Sequence, residues 1–95
     1  MIVRMDRKPA GGKLLRIELE AEEGRVLRAR VRGDFFAHPE ELFEAAEAEL
    51  AGTELARASE TALGLFSRPG LVLYGASAAG IAEALGEAAR ALAAR

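Results

Sequence analysis

Between Leu15 and Ala21 the chain alternates, with Leu15, Ile17, Leu19 and Ala21 on one face and Arg16, Glu18 and Glu20 on the other. A period of two predicts a strand with one buried face. Glu22-Glu23-Gly24-Arg25 supplies a short turn in which Gly24 can take a positive φ, and beyond it Leu27, Ala29 and Val31 alternate with Arg28, Arg30 and Arg32. The two strands are therefore expected to form a hairpin. On its solvent face Glu18 and Glu20 oppose Arg28, Arg30 and Arg32, and cross-strand ion pairs worth about 0.2–1 kcal/mol each account for the arginine row.

Three helical stretches follow. Pro39 suits a first helical position, where its missing N–H costs nothing, and Glu40 and Glu41 suit the positive end of the helix dipole. Leu42, Phe43, Ala46 and Leu50 then make one apolar stripe, Glu44, Glu47 and Glu49 are expected to face water, and Gly52 ends the helix. In the second stretch Thr53 is the expected cap and Leu55, Ala58, Ala62, Leu65 and Phe66 the apolar side, until Pro69-Gly70. Leu71 to Tyr74 is an apolar run too short for its period to be read, and extended chain is expected. Ser77 is placed to cap the last helix, from 78 to about 93, with Ile81, Leu85, Ala88, Ala89 and Leu92 facing the core. Residues 1–12 mix charge, Pro9 and Gly11-Gly12, which suggests a flexible or extended arm before a single domain of residues 13–95.

Composition narrows the chemistry. A chain of 95 residues supports one modest core. It has no cysteine, so disulfides, thiolate metal sites and thiol catalysis are excluded, and a reducing cytoplasm is the expected location. Thirteen basic residues against fifteen acidic ones leave a net charge of −2, too balanced to draw a phosphate backbone, so nucleic acid is not an expected partner. No apolar run approaches the roughly 18–20 residues of a spanning helix, so no membrane partner is expected either.

Two segments carry candidate chemistry. LVLYGASAAG, residues 71 to 80, has the order of a nucleophile elbow, but His38 is the sole imidazole and 95 residues are too few for a hydrolase sheet of that kind. Ser77 is read as a cap. The same segment departs from a dinucleotide fingerprint, because Ser77 stands where the central glycine must be, and no P-loop occurs in the chain. GDFFAHPEE, residues 33 to 41, holds the other candidates. His38 with Asp34 is too small a set for zinc, which takes three or four ligands, so no metal is expected and His38 is read as a helix-entrance residue or a contact to a partner. Phe35 and Phe36 are adjacent, so on a strand they point to opposite faces. One of them either is covered by the second helix or the N-terminal arm or serves as a docking anchor.

The order KPAGGKLLRIELEAEEGRVLRARVRGDFFAHPEELFEAAEAELAG, residues 8 to 52, resembles the C-terminal accessory domain of lipoate-protein ligases, in particular the archaeal type in which that domain is a separate small subunit. The resemblance lies in a G-G-K opening a strand, a hairpin, G-D-F-F-x-H-P-E-E running into an amphipathic helix, and a terminal helix after a G-x-S-like turn. It implies an α+β fold of the SufE/NifU-like kind, an antiparallel hairpin or small sheet packed by about three helices. It further implies a heterodimer with a large catalytic subunit that binds lipoate, ATP and Mg, makes lipoyl-adenylate and lipoylates acyl-carrier domains, such as the E2 component of 2-oxoacid dehydrogenases or the glycine cleavage H protein. That subunit also holds the catalytic lysine of the family, so the resemblance assigns no catalytic residue and no cofactor to this chain alone. Gly11, Gly12 and Lys13 match the first motif, and Gly33, Asp34, Phe35, Phe36, His38, Pro39, Glu40 and Glu41 the second, as interface or structural positions. The alternative is a non-catalytic protein-binding or scaffold module of the same fold, although iron–sulfur and sulfur-acceptor relatives work through cysteine.

Overall fold

The computed structural model describes residues 1–9 and 11–95. Its main sheet is antiparallel with strand order β1 (Ile2–Arg7), β2 (Leu15–Glu22), β3 (Arg25–Gly33). A separate two-stranded ribbon pairs β4 (Phe36–His38) with β5 (Val72–Tyr74). The helices are α1 (Glu40–Glu49), α2 (Ala58–Phe66), entered through a single 3₁₀ turn at Leu55–Arg57, and α3 (Ala78–Ala93). The fold class is α+β, as the patterning indicates.

The hairpin of β2 and β3 forms as expected, and a third strand joins it. Ile2–Arg7, part of the stretch where composition suggested an arm, pairs along β2 from Ile2 opposite Glu20 to Arg7 opposite Leu15. Val3 and Met5 turn half-buried side chains to the core, while Arg4 and Asp6 face water. The sheet thus starts well before Lys13; of the remaining arm residues, Ala10 lies outside those described.

The β3 alternation departs from the expected one at its start. A register shift between Glu20 and Ala21 places Ala21 opposite Val26 but Glu20 opposite Arg28, so Leu27 is an extra residue in β3. Such a bulge turns one residue out of the alternation. Val26 is buried in place of Leu27, which is 49% exposed, and the expected pattern resumes with Ala29 and Val31.

One face of the sheet is covered by helices. α3 lies on β1 and β2, α1 lies against β3, and α2 packs on both α3 and α1. On α3 the predicted residues Ile81, Leu85, Ala88, Ala89 and Leu92 are all buried, joined by Gly80, Ala82, Ala84 and Gly86, because this helix is covered by the sheet on one side and by α2 on the other. At Gly86 a Cβ would come within 2.9 Å of Ser59 Cβ, so the absent side chain sets how near α2 and α3 can lie. Ser59 Oγ also donates to the Ala82 carbonyl at 3.0 Å across that contact.

The helix starts show three smaller differences. Pro39 stands one residue before the first turn of α1, in extended conformation, and its carbonyl accepts from the N–H groups of Leu42 and Phe43. Thr53 is not a cap; its carbonyl accepts from Val26 N–H at 2.8 Å and helps close the outer edge of β3. Glu47, expected in water, is 8% exposed. Its carboxylate accepts from the edge N–H of Val31 at 2.7 Å and from Arg32 Nη1 at 2.8 Å. A buried strand-edge donor needs a partner, and here a helix side chain supplies it.

Candidate functional site

Both sequence motifs gather at one end of the sheet, around Gly75. This glycine has φ +85°, and a Cβ added there would lie 3.2 Å from the Asp34 carbonyl, 3.5 Å from Lys13 Cγ and 3.5 Å from Phe35 Cβ. Lys13 of the first motif and Asp34 and Phe35 of the second, some twenty residues apart in the chain, therefore meet on the turn that follows β5. Gly33 is held by a closer approach, since a Cβ on it would overlap the Leu14 carbonyl oxygen at 2.1 Å.

The first motif lines a cleft of about 360 Å³ with Pro9, Gly11, Gly12 and Lys13 on one wall and Ser77 and Gly80 on the other. Gly12 N–H donates to the Pro9 carbonyl at 2.9 Å. Ser77 Oγ accepts from Gly80 N–H at 2.9 Å, the cap expected of it. Among the described residues no three His, Cys, Asp or Glu side chains converge as metal ligands.

The two phenylalanines divide as strand geometry requires. Phe35 turns inward and tilts against Phe43 of α1 with ring centroids 5.6 Å apart, and Phe43 in turn meets Phe66 of α2 at 5.1 Å. Phe36 turns outward and is 77% exposed. In the ribbon register Phe36 stands opposite Tyr74 and His38 opposite Val72, so these four side chains share one face, with Tyr74 59% and Val72 45% exposed. The opposite ribbon face, Ala37 and Leu73, packs toward the core. A two-stranded ribbon is marginal alone, and this one is anchored by its inner face and by Phe35. Pro39 follows at the helix entrance after a cis peptide bond.

The sequence motifs thus supply Phe36 and His38, whereas Tyr74 and Val72, which complete the outward patch, come from the run whose period was too short to read. Beside Phe36 a second cleft of about 280 Å³ is lined by Arg32, Phe35 and Phe43 with Glu40 and Glu44 of α1. Chemically the arrangement is an exposed apolar face with charged flanks. It fits protein docking, since exposed aromatic clusters rimmed by polar groups mark interaction sites.

No family model matches the sequence, and no curated protein matches it. The fold is similar to that of a solved chain from the lipoylation system of Thermoplasma acidophilum, described as a bipartite lipoate protein ligase and its E2 lipoyl domain, with a TM-score of 0.74 at 22% identity. The likeness covers 90% of this chain and 94% of that chain, so the two are of nearly equal length.

Proposed function

We propose that this chain is the accessory subunit of a bipartite lipoate protein ligase. In this reading it forms a cytoplasmic heterodimer with a larger catalytic subunit, and the pair activates lipoate to lipoyl-adenylate with ATP and transfers the lipoyl group to acyl-carrier domains. The observation that carries the proposal is the shared fold over nearly the full length of both chains, reached independently of the motif resemblance in residues 8–52. ATP, Mg and lipoate belong to the complex, and the large subunit supplies the bond-making groups.

The contribution of this chain is then contact and position. Phe36, Tyr74, Val72 and His38 form the docking face, with Phe36 as its anchor, because large aromatics at the centre of an interface carry most of its energy. Gly33, Phe35 and Gly75 set the height and angle of that face on the core. Lys13, exposed at the same end, brings a positive charge beside it.

Reconstitution tests the proposal. The large ligase chain of the same organism is assayed for lipoyl-adenylate formation and for lipoylation of an acceptor domain, with and without this chain. Adenylate formation is expected to require it, and Phe36→Ala to weaken the complex by about 2 kcal/mol, roughly 30-fold in Kd, without lowering thermal stability. Phe35→Ala should instead lower the melting temperature. A large chain that is fully active alone and forms no complex would overturn the reading.

A further inference from the structure

The sheet face away from the helices carries a charge pattern that its internal ion pairs do not consume. Three rows cross the strands there: Ile2, Glu20 and Arg28; Arg4, Glu18 and Arg30; Asp6, Arg16 and Arg32. Five arginines stand against three carboxylates, and with Arg32 held at 2.8 Å by Glu47 of α1 a surplus of one positive charge is left on a chain whose net charge is −2.

The surplus is concentrated at one end. Glu18 is bound from both sides, by Arg4 at 2.8 Å and Arg28 at 3.2 Å, although Arg30 is its direct neighbour across the strands. Arg30 makes no ion pair among the described residues. Arg16 stands directly opposite Arg32, a like-charge pairing that costs stability in a sheet, and reaches Asp6 only at 4.0 Å. Arg4, Arg16, Arg30 and Arg32 border one shallow groove of about 330 Å³, with Asp6 and Glu18.

This cationic end is continuous with the apolar ribbon. Arg32 lines the groove that contains Phe36, the groove that contains Arg16 and Arg30, and a third that runs over Leu14, Gly33 and Asp34. We propose that the outer sheet face around Arg16 and Arg30, flanked by the Glu47-paired Arg32, is the electrostatic half of the docking surface and receives a carboxylate-rich patch of the large subunit. The assignment rests on the subunit reading above and adds to it the chemistry of the partner. An apolar centre with a charged rim is the usual anatomy of an interface, and the charged part fixes orientation and speeds encounter. The partner is a protein surface rather than a nucleic acid, because every row holds one carboxylate: a phosphate backbone would meet all three, whereas a protein surface can oppose each charge in turn.

The test measures association of this chain with the large ligase chain of the same organism at low and high salt. The rate constant for association of the wild type falls as ionic strength rises. The double variant Arg16→Ala/Arg30→Ala melts at the wild-type temperature, associates roughly tenfold more slowly at low salt, and converges on the wild type at high salt. Phe36→Ala acts mainly on dissociation. A salt-independent rate, or an unchanged rate in the double variant with the complex intact, overturns this inference and leaves the subunit reading standing; absence of any wild-type complex sinks both. Retardation of duplex DNA by the wild type but not by the double variant overturns the assignment to a protein partner.

Discussion

At residue scale one side chain beneath the candidate surface, Glu47, carries a charge into the core. It bridges α1 to the last turn-ward segment of β3 through Val31 N–H and Arg32, a few residues before the chain bends at Gly33 into Phe35 and Phe36. Removing it leaves a buried edge N–H without an acceptor, a loss of about 1–3 kcal/mol. Glu47→Ala should therefore lower the free energy of unfolding in urea by that amount, and Glu47→Gln, which keeps an acceptor oxygen, by less. Equal losses for the two would show that the hydrogen bond to Val31 is not what Glu47 contributes. The sequence holds a trace of this role. Phe43, Ala46, Glu47 and Leu50 fall at i, i+3, i+4 and i+7, so position 47 lies in the middle of the apolar stripe, and a charge there implies a buried partner rather than water.

At the scale of elements, what could be read from the sequence follows the length of each periodic run. The sixteen residues of α3 and the alternation of β2 repeat their pattern several times, and their buried faces are those expected. The bulge at Leu27 could not be read, since one extra residue is visible only against the partner strand. The extended chain expected at Leu71 to Tyr74 is present as β5, but its pairing with β4 was hidden, because two three-residue strands meet across more than thirty positions. Half of the candidate surface, Phe36 and His38, was therefore legible as a motif and the other half, Val72 and Tyr74, was not. Elements here are also tied by ion pairs that respond to pH. Arg4 first and Arg28 second hold the Glu18 carboxyl below its usual range across the three strands, and Arg68, just after α2, does the same to Glu49 of α1. A folded pKa below the unfolded one adds stability that is fully present above the unfolded value, about pH 4.3 for glutamate, and is lost as pH falls through the folded value. The melting temperature of the wild type should drop below that pH, and the drop should be shallower in Glu18→Gln/Glu49→Gln; an identical acid limb would show that neither pair matters.

For the whole molecule the decisive question is where the folding unit begins. β1 covers β2, contributes the half-buried Val3 and Met5, and is fastened at its end by Arg7, which pairs with both Glu83 and Glu87 of α3. The hydrogen bond to Glu87 is the main reason that the Arg7 guanidinium holds its proton more tightly than usual. At the other end of the strand Arg95 Nη1 donates to the Ile2 carbonyl at 2.8 Å, so the last residue of the chain meets the outer strand of the sheet. Together these contacts make the first seven residues part of the domain, although their charge and the Pro9–Gly12 segment behind them read as an arm. A chain beginning at residue 8 would have a two-stranded sheet with β2 bare along one edge, and α3 would keep its packing on β2 and α2 but lose that on β1. Its stability should fall by about 2–3 kcal/mol, from the lost burial of the half-buried Val3 and Met5 and of the α3 surface that β1 covers, at roughly 25 cal/mol per Å². Complex formation should fail with it, because the ribbon depends on the same core through Phe35, Ala37 and Leu73. Chemical denaturation of the shortened chain decides the matter: an unchanged midpoint and slope would return these residues to the status of an arm and put the start of the domain at Lys13.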